Sequence, residues 1–188
     1  MKTRETLVAA ALQVLEQDGE AQFSTRAVCV IAKVTAPTLY HHFGNADGLL
    51  SAAMEEAFAQ FLAGKLAATQ STDPETALRE GWDNYVRFAA ARPRLYVAMM
   101  SRFLLGAEIP AARKAYDLLL ARVGAVQAEG RLALPVEAAA DLAWASANAA
   151  SLLHVTAHQR GATPPDPAIV DDLRDRAMQA IIHSEKKD

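Results

Sequence analysis

Residues 23–43, Phe23-Ser24-Thr25-Arg26-Ala27-Val28-Cys29-Val30-Ile31-Ala32-Lys33-Val34-Thr35-Ala36-Pro37-Thr38-Leu39-Tyr40-His41-His42-Phe43, decide the fold of this chain. They read as two short helices joined by a tight turn. Ser24 stands where an N-cap opens the first helix, and Val28, Ala32, Val34 and Leu39 recur where the two helices must pack on each other. Cys29 is small and falls at their closest approach. Thr35 is a second cap, and Pro37 lies in the first turn of the next helix, where its missing N–H costs nothing. The second segment leaves Thr38, Tyr40, His41 and His42 free to face outward. This is the pattern of a helix-turn-helix, in which the second helix meets DNA.

Reading outward from this stretch predicts helices on both sides. The first runs from about Thr3 to Asp18, with Leu7, Ala11, Val14 and Leu15 on one face and Gly19 as terminator. Asn45 caps a long helix from Ala46 to about Thr69, in which Leu50, Met54, Phe58 and Phe61 or Leu62 repeat at helical spacing. Ser71-Thr72-Asp73-Pro74 is a break with a Pro start. It opens a helix to about Ala91 that carries Leu78, Trp82, Tyr85 and Phe88 or Ala89. A short apolar helix with Tyr96, Met99, Met100 and Phe103 follows Arg92-Pro93, and Pro110 starts another that reaches about Glu129. Gly130 and Pro135 frame the connection to an Ala- and Ser-rich helix, from Val136 to about Gln159. After Thr163-Pro164-Pro165-Asp166-Pro167 a last helix runs to about His183, and Ser184–Asp188 reads as a frayed tail.

Composition agrees with this layout. An apolar fraction of 52% with only 6% aromatic points to closely packed helices rather than a β-sandwich, and no strand pattern emerges. A formal charge of -3 and a pI near 6.0 leave no polybasic tail for membranes or RNA. The single Cys29 excludes an internal disulfide and a Cys-based zinc site, and fits a reducing cytoplasm. No signal-peptide run and no apolar stretch of membrane-spanning length interrupts the pattern. The expectation is an all-α chain of about nine helices, with a DNA-binding domain over residues 1–46 and a helical regulatory domain over 47–188.

Thr38-Leu39-Tyr40-His41-His42-Phe43 resembles the Thr-Leu-Tyr-x-His-Phe signature of the tetracycline-repressor-type (TetR) family of bacterial transcription regulators. Arg4, Leu7, Ala10, Leu15 and Gly19 match its first helix, Phe23 to Arg26 the entry to its second, and Asp47, Leu49 and Leu50 the start of its fourth. The resemblance implies a homodimeric, ligand-responsive repressor of double-stranded operator DNA with no cofactor. It places Arg26, Lys33, Thr35, Ala36, Pro37, Thr38, Tyr40, His41 and His42 at the DNA. Two positions depart from the pattern: Lys33 replaces the usual turn Gly, and Ala46 replaces the usual Lys before the fourth helix. The first fifty residues also carry Lys2, Arg4, Arg26 and Lys33 against Glu5, Glu16, Asp18, Glu20 and Asp47, a net charge of -1. A reading head without a basic surplus should bind non-specific DNA weakly.

Further along, Trp82, Tyr85, Met99 and Phe103, with Met100, could line an apolar effector cavity, with Tyr116 or Asn148 as polar anchor. The same stripe serves equally as plain core. Ala145, Ala149 and Leu152 or Leu153 share a face suited to close packing, and the resemblance implies that the last two helices build a four-helix dimer interface. His154 and His158 are spaced i, i+4, but no third ligand accompanies them, so no metal site is assigned. Neither a Gly-rich phosphate loop nor a nucleophile elbow is present, which leaves an enzyme poorly supported and assigns no catalytic residue. A helical small-molecule-binding protein that has lost DNA recognition is the other alternative.

Overall fold

The computed structural model describes residues 3–68 and 71–183. Among these residues lie α1 (Thr3–Asp18), a 3-10 turn (Glu20–Gln22), α2 (Thr25–Ala32), α3 (Ala36–Phe43) and α4 (Ala46–Ala68). They are followed by α5 (Pro74–Ala91), α6 (Pro93–Leu104), α7 (Pro110–Ala128), α8 (Val136–Gln159) and α9 (Pro167–Ile181). The fold is all-α, with nine α-helices among the described residues. The expected end of α4 at Thr69 and the expected frayed tail lie outside them. The 3-10 turn has no counterpart in the sequence reading, and neither does the lone antiparallel bridge between Leu132 and Ile182.

Punctuation residues explain most helix ends. Asp73 accepts hydrogen bonds from the Thr76 backbone N–H at 2.8 Å and hydroxyl at 2.6 Å, so Asp73-Pro74 starts α5 with its first turn satisfied. Asp166 does the same for α9 through the Ala168 N–H. Asn45 Oδ1 accepts from the Gly48 N–H at 2.8 Å and opens α4. Ser24 and Thr35 have the extended backbone of N-caps, yet neither side chain makes a capping bond. The Thr35 hydroxyl instead pairs with that of Thr38 at 3.0 Å.

By packing, the chain divides into two compact units. One comprises Met1–Gln60 and Arg92–Ala112, the other Phe61–Ala91 and Arg113–Asp188. The first is built on α1, which packs on α2 and on α6, while α2 packs on α3. Its interior holds Leu7, Val14, Leu15, Val28, Leu39, Leu49, Met54 and Leu95, all buried. In the second, α5 packs on α8, with α9 beside α8. Leu78, Trp82 and Val86 of α5 meet Val123 and Val126 of α7, the alanines of α8, and Met178 and Ile181 of α9.

The turn between α2 and α3 closes through Lys33, whose φ of 55° and ψ of 44° are left-handed. The Lys33 N–H donates to the Val30 carbonyl and the Val34 N–H to that of Cys29, a Schellman arrangement that satisfies the free carbonyls of α2. A glycine would take this conformation without strain. Gly48 is required for a different reason: a Cβ there would overlap the Phe43 backbone carbonyl. Lys33→Gly is therefore expected to stabilise the chain by about 1 kcal/mol in urea denaturation. Gly48→Ala should destabilise it, although helix propensity alone favours Ala by about 1 kcal/mol. A Gly48→Ala variant more stable than the parent would show that the Phe43 carbonyl yields easily.

Candidate nucleic-acid interface

Helix α3 presents one side to solvent and anchors the other. Leu39 is fully buried against the equally buried Val28 layer of the first unit, which contributes about 2 kcal/mol for a leucine of this kind. Thr35, Ala36, Pro37, Tyr40, His41 and His42 are exposed, and Thr38 is half-buried. Tyr40 retains 44% of its surface, enough for its hydroxyl to reach a partner molecule. The rings of His41 and His42 lie edge to face, their centroids 5.5 Å apart, so the two imidazoles point differently. The guanidinium of Arg4 sits over the Phe43 ring, 5.3 Å from its centroid, and ties the start of α1 to the end of α3. On α2, Arg26 and Val30 are exposed, as is Lys33 at its end, and Val30 is 71% accessible.

Electrostatics in the folded head differ from the sequence tally because α6 and its N-cap residue supply arginines. Arg92 pairs with Glu16, and Arg94 donates to the Gln17 carbonyl. Arg102 donates through Nε to Glu20 at 3.1 Å and through a terminal nitrogen to Asp47 at 2.8 Å. Burial opposes the charge on Arg102, but the Asp47 and then the Glu20 carboxylate outweigh it and raise its pKa above the usual arginine value. Glu16, Glu20 and Asp47 are thus engaged with arginines, while Arg26 and Lys33 stay exposed on the helix-turn-helix. These three arginines lie far from residues 23–43 in sequence, and only packing brings them to the head.

The profile of the bacterial regulatory proteins of the tetR family matches residues 7–53. The chain carries a tetR-family DNA-binding domain. That domain is a DNA-binding module of bacterial regulatory proteins, not a catalytic one. No curated protein matches it. Among solved structures, a protein of unknown function from Rhodococcus sp. RHA1 is 24% identical with a TM-score of 0.82, covering 96% of each chain. A transcriptional regulator from the same organism is 21% identical with a TM-score of 0.74, again over 96% of each. A TetR-family transcriptional regulator from Haemophilus influenzae RD is 22% identical with a TM-score of 0.67 and covers 96% of each. At these identities the three show a shared fold.

The residues expected at an effector site are placed as follows. Trp82 is buried and its indole N–H donates to the Ser146 hydroxyl at 2.9 Å. The Tyr85 hydroxyl donates to Asn148 Oδ1 at 2.9 Å, and the Asn148 amide donates to the Trp144 carbonyl. The Tyr116 hydroxyl donates to Asp141, and the hydrogen bond to that carboxylate, followed by burial, raises its pKa. Met99 is buried in the first unit, whereas Phe103 is 43% exposed. Both polar anchors are thus already held by neighbours within the second unit. The same unit also buries two cations that the sequence reading passed over, Lys65 and Arg122. Arg122 donates to the Lys65 carbonyl at 3.1 Å, in the space that Gly81 leaves by lacking a Cβ. Burial, and then the charge of Arg122, pulls the Lys65 pKa down to about 8. His154 is half-buried and His158 exposed, and no group of three His, Cys, Asp or Glu side chains able to hold a metal forms among the described residues.

Two measurements separate contacts that position the head from those that read sequence. Tyr40→Ala should weaken binding to every duplex by a similar factor and leave the consensus from an operator selection unchanged. A changed consensus would assign Tyr40 to base reading. Ala46 is exposed at the start of α4, so Ala46→Lys should raise affinity and steepen log affinity against log salt by about one charge per head. An unaltered slope would remove position 46 from the DNA surface.

Proposed function

We propose that this tetR-family regulator is a homodimeric repressor that binds operator DNA through α3 and is released by a small, largely apolar effector. The observation that carries this reading is the two-sided character of α3: buried Leu39 on one side, and Thr35, Ala36, Pro37, Tyr40, His41 and His42 exposed on the other. Thr35, Ala36, Thr38 and His41 are assigned to base edges or the adjacent phosphates. Tyr40 and His42 are assigned to the backbone, Arg26 and Lys33 to phosphates, and Pro37 to apolar contact such as a thymine methyl. The functional division follows the sequence: residues 1–46 for DNA, and 47–188 for effector binding and dimerisation. No described helix is long and apolar enough to cross a membrane, and we assign the protein to the cytoplasm, where its DNA partner lies.

The dimer reading is supported by an exposed face on α8. Ala145, Ala149, Leu152 and Leu153 are all exposed, with Leu152 at 55%, and Ile169 of α9 is exposed as well. Small residues with flanking leucines allow a second copy of the two helices to approach closely. For the effector we assign Trp82, Tyr85, Tyr116 and Asn148 of the second unit, with the Tyr85–Asn148 hydrogen bond as the polar feature a ligand would exchange. An effector that releases DNA a hundredfold must prefer the DNA-incompetent state by about 2.7 kcal/mol.

The test is selection of duplex from a random pool by the purified protein, followed by footprinting. A two-fold symmetric site with half-sites in successive major grooves is expected. Recovery of unselected sequence would favour the reading as a helical small-molecule-binding protein. Overpacking the proposed interface costs about 1 to 3 kcal/mol per site, so Ala149→Trp should sediment as a monomer with helicity retained. A fully dimeric Ala149→Trp would move the interface off this face.

A further inference from the structure

Helix α6 holds both flanks of the helix-turn-helix from outside it. Glu20 lies in the 3-10 turn that leads into α2, and Asp47 lies in the first turn of α4, just past the exit from α3. One guanidinium meets both carboxylates, at 3.1 Å and 2.8 Å, from Arg102, whose partners are 82 and 55 residues away in sequence. Arg102 and Glu20 keep 22% and 29% of their side chains exposed, so that bond is screened less than an open surface pair, whereas Asp47, 70% exposed, meets the same guanidinium at the surface. At the other end of the helix, Arg92 and Arg94 grip the last turn of α1. That turn carries Glu16 but no basic residue, and Asp18 closes the helix, so its negative end would otherwise face like charge.

A planar fork that binds two carboxylates fixes direction as well as distance, which a single ammonium does not. From this arrangement we propose that Arg102 is a positioning residue for DNA recognition: by clamping Glu20 and Asp47 it sets the angle at which α3 is presented to base edges. The proposal rests on the DNA-binding reading above. It differs in sign from bare electrostatics. Carboxylates beside DNA repel phosphate, so their removal by itself should tighten binding to all sequences. Under positioning, removal of Asp47 weakens the specific complex while leaving non-specific binding equal or tighter.

The experiment uses the full chain, a duplex selected by the wild-type protein from a random pool, and a scrambled duplex of the same length. Affinities are read by fluorescence anisotropy at fixed salt. Arg102→Ala and Asp47→Asn should each lower affinity for the selected duplex about tenfold, with Arg102→Lys intermediate. The double variant Arg102→Ala with Asp47→Asn should bind no worse than Arg102→Ala alone, since both remove one interaction. Circular dichroism monitors the fold. If Arg102→Ala fails to fold, Asp47→Asn and Arg102→Lys decide the matter. An Asp47→Asn protein that binds the selected duplex as tightly as wild type, or Arg102→Lys indistinguishable from wild type, overturns the proposal. If wild-type protein selects no duplex, the DNA-binding reading fails and the proposal falls with it.

Discussion

A recognition helix of eight residues cannot hold its own shape in water, because nucleation fixes several residues for each hydrogen bond gained. Everything around α3 answers to that constraint. Leu39 is buried on its inner side, Phe43 at its end lies under Arg4, and the turn before it is closed by Lys33 in a strained conformation. Beyond Gly44, Asn45 caps the next helix at once, and the missing Cβ of Gly48 lets the Phe43 carbonyl approach. The exposed side of α3 keeps its geometry only because so much of its other side is restrained.

The second unit meets a different constraint. Its helices pack through alanines on α8, which permit close approach but specify register weakly, since one small residue resembles the next. Register is carried instead by polar pairs inside the interface, Trp82 to Ser146 and Tyr85 to Asn148, each of which is costly to leave unmade. Ion pairs add to this at the rim: Arg79 with Asp175, and Arg174 with Asp83, tie α5 to α9. Arg131 bridges Asp73, Glu75 and Glu129, so the connection after α7 is pinned to the start of α5.

The helices were legible because their ends are written in local chemistry. Asp73-Pro74, Arg92-Pro93, Pro110, Pro135 and Asp166-Pro167 each stop one backbone pattern and permit another, whatever the rest of the chain does. The inward faces of α1 and α4 were legible for the same kind of reason, since Leu7, Val14 and Leu15, and Leu50, Met54 and Phe58, recur at helical spacing and are buried. Gly48 was misread. A glycine in a first helical turn looks like a defect by propensity, and only the position of the Phe43 carbonyl shows why a side chain does not fit. Phe103 kept an apolar identity in the sequence yet is exposed at the end of α6, because periodicity assigns a face but not what covers it.

Sequence by itself determined the all-α class, the helix-turn-helix and the exposure of Tyr40, His41 and His42 on α3, since these follow from spacing, caps and breakers acting over a few residues. Tertiary structure alone decided the charge balance of the reading head and the partners of its acids. Electrostatic interaction depends on distance in space, and the arginines that meet Glu16, Glu20 and Asp47 are Arg92, at the N-cap of α6, and Arg102 within it, all more than fifty residues away in sequence. The burial of Lys65 and Arg122 belongs to the same class, because two cations of ordinary appearance become buried only when α4, α5 and α7 close around Gly81.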